Sequence, residues 1–136
     1  MLRLRLPAVL GVALALLVAS PAQAATTATV TIEPNGVVVG GGQAALVFVT
    51  VECTLDPDAE LLEGFVTVSQ EAVFAQGALN PKCDGKPHRN VVRVQALGGE
   101  FQAGEAFASA FLLFLVDPET GETVQAQDAR VIALSR

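Results

Sequence analysis

The stretch Ala44-Ala45-Leu46-Val47-Phe48-Val49-Thr50-Val51-Glu52-Cys53 decides how this chain is read. It is rich in β-branched and aromatic residues, and its second half alternates apolar with polar, which is the pattern of a half-buried strand. Ala45, Val47, Val49, Val51 and Cys53 share one phase, so the Cys53 sulfur points to the side that the valines bury. The only other cysteine is Cys83, in Asn80-Pro81-Lys82-Cys83-Asp84-Gly85. A bond between the two would tie this central strand to a segment further along the chain.

The N-terminus bears on whether that bond forms. Arg3 and Arg5 give a basic start, residues 6–19 are apolar, and Ala22-Gln23-Ala24 is a small-x-small cleavage site. These features predict a secretory signal peptide over residues 1–24 and a single mature domain over 25–136. The apolar run is shorter than the roughly 20 residues that span a bilayer, and no stop-transfer pattern comes after it. A secreted, extracellular protein without a membrane anchor is therefore expected. In an oxidising compartment two cysteines predict one structural disulfide, Cys53–Cys83.

Charge and composition narrow the partners. The chain has a net charge of −6, and loss of Arg3 and Arg5 with the leader takes the mature domain from −6 to −8. Such a surface repels phosphate backbones, so nucleic acid is not an expected partner. There is no Trp or Tyr, and all seven aromatics are Phe. Sugar-binding surfaces favour rings that both stack and hydrogen-bond, which Phe cannot do.

Working outward from the central strand, residues 28–32 alternate as a first strand. Glu33-Pro34-Asn35-Gly36 reads as a turn, because Pro presets φ and Asn-Gly tolerates positive φ, and residues 37–39 as a short return strand. The central strand covers 44–54. Beyond it, Asp56-Pro57-Asp58-Ala59-Glu60 is an acidic connection and 65–70 a strand. Residues 71–78 fit a helix, a short strand or a single turn equally well. Asp84-Gly85-Lys86-Pro87 is a turn and 90–97 a strand, and Phe101-Gln102-Ala103-Gly104 a corner into the apolar run 106–116. A hairpin loop over 117–122 leads to the final strand, 123–134. About seven strands, with turn signals every 8–12 residues, predict an all-β fold in the form of a two-sheet antiparallel β-sandwich.

Three features carry a family likeness: Cys53 ending a strand, Cys83-Asp84-Gly85 followed by His88, and the spaced run Phe101, Gly104, Ala106, Ala108, Ala110. In these the chain resembles a family of small secreted actinobacterial domains of unknown function. The resemblance implies an immunoglobulin-like sandwich and brings no activity with it. In size and acidity the chain is more distantly similar to the secreted apoproteins that carry enediyne chromophores, which normally have two disulfides.

Candidate chemistry is sparse. His88 is the only histidine, and no Gly-x-Ser-x-Gly motif accompanies it, so a loop hydrogen bond is expected of it rather than catalysis. Zinc lacks ligands, since a structural site takes about four Cys or His. Asp56, Asp58, Glu60 and Glu63 are closely spaced, but Leu61 and Thr67 stand where a calcium-binding EF-hand loop needs Gly and Glu. No metal or cofactor is expected. Lys82, Lys86, Arg89 and Arg93 form a local basic cluster. It either meets an anionic wall polymer or an acidic protein, or balances the acidic stretch 52–71 within the molecule.

The run 106–116 is the most suggestive feature. Ala106, Ala108, Ala110, Leu112, Phe114 and Val116 would form one face. Phe107, Ser109, Phe111, Leu113 and Leu115 would form the other, and a sandwich strand normally keeps one face wet. A covering segment or bulge, a ligand groove and a contact with another subunit each account for the second apolar face. The sequence thus points to a non-catalytic secreted domain that binds a protein or cell-wall partner through Phe107, Phe111, Leu113 and Leu115 or through the basic cluster. The alternatives are a carrier of an apolar small molecule in a cleft between the sheets, and a protease inhibitor presenting the loop around Lys82.

Overall fold

The computed structural model describes residues 25–136, and the leader expected over residues 1–24 lies outside the described residues. The fold is built on β3 (Ala44–Thr54), whose Ala45, Val47, Val49, Val51 and Cys53 are all buried. β1 (Thr27–Ile32) and β2 (Asn35–Val39) lie antiparallel along one edge of β3, Ile32 opposite Val49 and Val37 opposite Leu46. β6 (Pro87–Leu97) takes the other edge, from Pro87 opposite Glu52 to Gln95 opposite Ala44. From β6 the ladder passes antiparallel through β5 (Val73–Ala78), β4 (Glu60–Gln70), β7 (Gly104–Asp117) and β8 (Glu122–Ser135). β8 then meets β2 in a short parallel pairing, Asn35 opposite Ala133 and Val37 opposite Ser135.

The ladder therefore returns to its start. With β1 and β2 taken as one interrupted strand, it closes a barrel of seven strands. The all-β class and the disulfide are as the sequence predicts, but the ladder is one continuous ring where two separate sheets were expected. The physical reason is that alternation shows which side chains face the core, and not which strands are neighbours. Closure rests on β3–β6 and β2–β8, pairings between segments far apart in the chain.

Residues 33–36 do not reverse the chain. β1 and β2 run in the same direction, end to end along β3, so the segment is a jog in one edge rather than a hairpin turn. Pro34 has no N–H to give to a ladder, and the break falls there. Before it, Glu33 N–H still donates to Phe48 O (2.8 Å), and Pro34 O accepts from Ala133 N–H (2.8 Å), which hands the edge over from β3 to β8. Residues 71–78 resolve as strand β5, reached by a two-residue turn in which Glu71 has a positive φ of 52° and Gln70 pairs with Val73.

The barrel is filled by side chains. Valines of β3, β4 and β6 pack against Ala106, Ala108, Ala110, Leu112 and Phe114 of β7, with Ile32, Ile132 and Leu134 at the β1–β2–β8 side. Two residues from connecting segments add to the core and are fully buried. Phe101, from the β6–β7 connection, is anchored by its N–H on Gly42 O (2.8 Å), and Leu79, after β5, by its N–H on Gly64 O (3.0 Å). Gly64 makes the second contact possible: a Cβ there would stand 2.1 Å from Leu79 O. On the Leu79 side, Cys53 and Cys83 form the disulfide that the sequence predicts, closing a loop of 30 residues.

Candidate functional site

Burial of alternate β7 residues turns Phe107, Phe111, Leu113 and Leu115 to the outside of the barrel. The strand registers then fix their neighbours. Phe111 lies between Gln127 of β8 and Phe65 of β4, and the Phe65 and Phe111 rings are 5.3 Å apart at 36°. One rung along, Ser109 lies between Ala129 and Thr67, with the two hydroxyls hydrogen-bonded to each other. On the next rung Phe107 lies between Val131 and Ser69, and Ser69 faces Phe74 of β5. None of the side chains on these three rungs is charged. Glu63, beside Leu113, and Glu105, two residues before Phe107, bound them.

Exposure is uneven along this face. Phe111, Leu113 and Leu115 are half-buried, whereas Phe107 is 51% exposed, Val131 56% and Phe74 47%. Lateral neighbours such as Phe65 shield the middle of the face, and the Phe107 rung is left open.

The basic cluster does not join that face, because β5 and β4 stand between β6 and β7. It is also not one patch. Lys82 and Lys86 lie on the loop before β6, where Lys82 Nζ is 4.0 Å from Asp84 Oδ2. Arg89 sits on the outer face of β6 and grips Glu33 with both limbs of its guanidinium, Nε to Oε1 at 2.7 Å and Nη2 to Oε2 at 2.9 Å. The same guanidinium lies 4.2 Å from the centroid of Phe48, a cation–π distance. The hydrogen bond lowers the Glu33 pKa and raises that of Arg89. Arg93, opposite Leu46, makes none of these contacts. Charge compensation thus comes from Glu33 and Asp84, neither of which belongs to the acidic stretch 52–71.

His88 is held by structure. Its Nε2 is 2.8 Å from Asp84 Oδ1, an oxygen that also accepts the Lys86 N–H at 2.9 Å. The Lys86 amide first, then His88, keep the Asp84 carboxyl below its ordinary pKa. Asp56 is likewise occupied: its Oδ2 accepts the Thr26 N–H (3.1 Å) and hydroxyl (2.9 Å), and its own N–H donates back to Thr26 Oγ1 (3.1 Å). Among the described residues no three of His, Cys, Asp and Glu converge in a metal-binding geometry.

One polar arrangement was not anticipated from the sequence. Beyond the short β2–β8 pairing, the edges of β1 and β8 face each other with no ladder among the described residues. Asp128 bridges them, with Oδ2 accepting the Ile32 N–H (2.8 Å) and Oδ1 accepting the Ala129 N–H (3.0 Å). Arg130 Nη1 donates to Ile32 O (2.9 Å). The available signal was phase: Asp128 and Arg130 fall in step with the buried Ala126, Ile132 and Leu134. Charges at inward positions are a known way to finish an unpaired strand edge.

Comparison of the chain with protein-family models, with curated proteins and with solved structures finds no match to any of them.

Proposed function

We propose that this chain is an exported, non-catalytic binding domain that works by protein contact on the outer face of β7 and its neighbours. The observation that carries this reading is the set of three successive rungs without a charge, opening on the exposed Phe107, Val131 and Phe74, in a chain of net charge −6. Depletion of charge around aromatic residues is the compositional mark of an interface core. A neutral apolar face suits a protein better than an anionic wall polymer, which would need the cations that this face lacks.

Export is supported by the basic-apolar-small leader and by the disulfide, which persists in oxidising compartments. The reading as non-catalytic is supported by the cysteines, which are bonded together and leave no free thiol among the described residues. The likeness to small exported immunoglobulin-like domains enters here as a proposal. In its favour, Cys53, Cys83, Asp84, Gly85 and His88 all gather at one end of the barrel, where Gly85 N–H donates to Cys53 O (2.8 Å).

The test is cross-linked capture from the secreted and surface fractions of the producing cells, using the chain itself and two variants. Phe107→Glu places a charge in the open rung, and Val91→Glu places one on β6, at an exposed position away from the face. The expected result is a discrete cross-linked species that Phe107→Glu removes and Val91→Glu keeps. Equal capture by both variants would overturn the reading.

A further inference from the structure

The segment between β5 and β6 lies at the disulfide end of the barrel, apart from the β7 face. Over residues 79–83 exposure alternates: Leu79 is buried, Asn80 exposed, Pro81 half-buried, Lys82 exposed and Cys83 half-buried. That two-residue period marks an extended chain. Yet residues 80–83 belong to no strand, and among the described residues their backbone groups form no hydrogen bond.

Both ends of this strap are fastened. Leu79 sits in the core with its N–H on Gly64 O (3.0 Å), and Cys83 is bonded to Cys53 on β3. Just beyond, Gly85 N–H donates to Cys53 O (2.8 Å), and Asp84 is held by the Lys86 N–H (2.9 Å) and by His88 (2.8 Å). Pro81 fixes its own φ. Lys82 stands out from this frame, its side chain 76% exposed and 4.0 Å from Asp84 Oδ2.

We propose that the strap is a substrate-like inhibitory loop for a trypsin-like serine protease, with Lys82 entering the specificity pocket. Such a protease takes its substrate as an added extended strand, through free backbone N–H and C=O groups, and selects lysine through a carboxylate in that pocket. The strap around Lys82 offers both. By contrast, Arg89, Arg93 and Arg130 lie in paired strands, and Lys86 is followed by Pro87, which has no N–H.

The fate of the cut separates an inhibitor from a substrate. The protease serine Oγ attacks the Lys82 carbonyl carbon, the bond from that carbon to the Cys83 nitrogen breaks, and the serine proton passes to that nitrogen. The new amine cannot diffuse away, because Cys83 stays bonded to Cys53 with the two Cα atoms 4.6 Å apart. The acyl side is held by Leu79, three residues back. The amine therefore attacks the acyl ester, re-forms the peptide bond and returns the proton to the serine. A loop already fixed in an extended shape also loses little entropy on binding, which favours a tight complex.

Titration of trypsin with the disulfide-bonded chain, read as hydrolysis of a small chromogenic lysine substrate, tests this. The expected outcome is a loss of activity that ends at one chain per protease, with the chain recovered mostly uncut. Lys82→Ala should weaken inhibition by roughly a hundredfold or more, as for a central anchor residue. Lys82→Phe should move inhibition to chymotrypsin, whose pocket is apolar. Lys86→Ala should inhibit as the unaltered chain does. Trypsin left fully active at large molar excess overturns the proposal, as does steady cleavage after Lys82 without inhibition, or inhibition that survives Lys82→Ala. None of these readouts depends on Phe107, so the binding face on β7 stands or falls separately.

Discussion

Asp128 on β8 accepts the amide hydrogen of Ile32 on β1 at 2.8 Å, so a carboxylate stands where the barrel lacks a backbone bond. Its second oxygen takes the Ala129 N–H on its own strand, and one side chain thereby satisfies both facing edges. Backbone groups left unpaired in a buried setting are costly, and two edges without a ladder invite pairing with another chain.

Replacing Asp128 with Ala removes both acceptors. The expected loss is about 1–3 kcal/mol, the usual range for orphaning a buried donor once held by a charged acceptor. Urea denaturation gives the magnitude, and hydrogen exchange at the Ile32 amide locates it. An Ile32 amide that stays as protected as before would show that the seam does not depend on Asp128.

The disulfide should matter to stability. Closing a loop of 30 residues removes unfolded-state entropy worth about 3.5–4 kcal/mol on the chain-entropy model. That is a large share of the ~5–15 kcal/mol typical of a domain. Cys53→Ala with Cys83→Ala should lower the melting midpoint clearly while the far-UV signal of strands persists below it. An unchanged midpoint would contradict the bracing role, and two alkylatable thiols in the denatured, unreduced protein would contradict the bond itself.

Gly64→Ala tests the packing of Leu79. The added methyl would sit 2.1 Å from Leu79 O and 3.0 Å from Leu112 Cδ2, so the backbone on one side must move. A loss of roughly 2–4 kcal/mol is expected, in the range of severe overpacking. Unaltered stability to urea would mean that the segment after β5 shifts freely, and that its anchor on Gly64 is dispensable.

Acid should weaken the protein through Glu33 and Asp84. Both folded-state pKa values lie below the ordinary 4.5 and 3.8, Glu33 through Arg89 and Asp84 through the Lys86 amide and then His88. A depressed carboxyl pKa contributes stability that is complete above the ordinary value and fades as pH falls through the folded one. The expected signature is a shallow decline confined to pH below about 4.5, small because both groups are solvent-exposed. Glu33→Gln with Asp84→Asn should flatten it. Carboxyl carbon NMR should show both groups titrating at lower pH than their unfolded counterparts, and ordinary titration midpoints would remove the prediction.

The sequence alone determined what depends on neighbours along the chain. Val49, Val51 and Cys53 alternate with Thr50 and Glu52, and this fixed β3, its buried side and the inward phase of Cys53. The same two-residue period told which β7 side chains turn outward, so Phe107, Phe111, Leu113 and Leu115 were legible before any fold was known. With two cysteines in the chain, one pairing was left. What the tertiary structure decided is what depends on partners across the ladder. Residues 33–36 look like a turn by composition, yet Ile32 and Val37 find successive places along β3, and that register, not the Asn-Gly pair, sets the direction of the chain. Closure of the barrel, the bond from Asp128 to Ile32 and the fork from Arg89 to Glu33 join residues 96 and 56 positions apart. The charge-free face is of the same kind, since Gln127, Phe111 and Phe65 become neighbours only when β8, β7 and β4 lie side by side. No local period encodes such neighbours, because hydrogen bonding across strands is blind to separation along the chain.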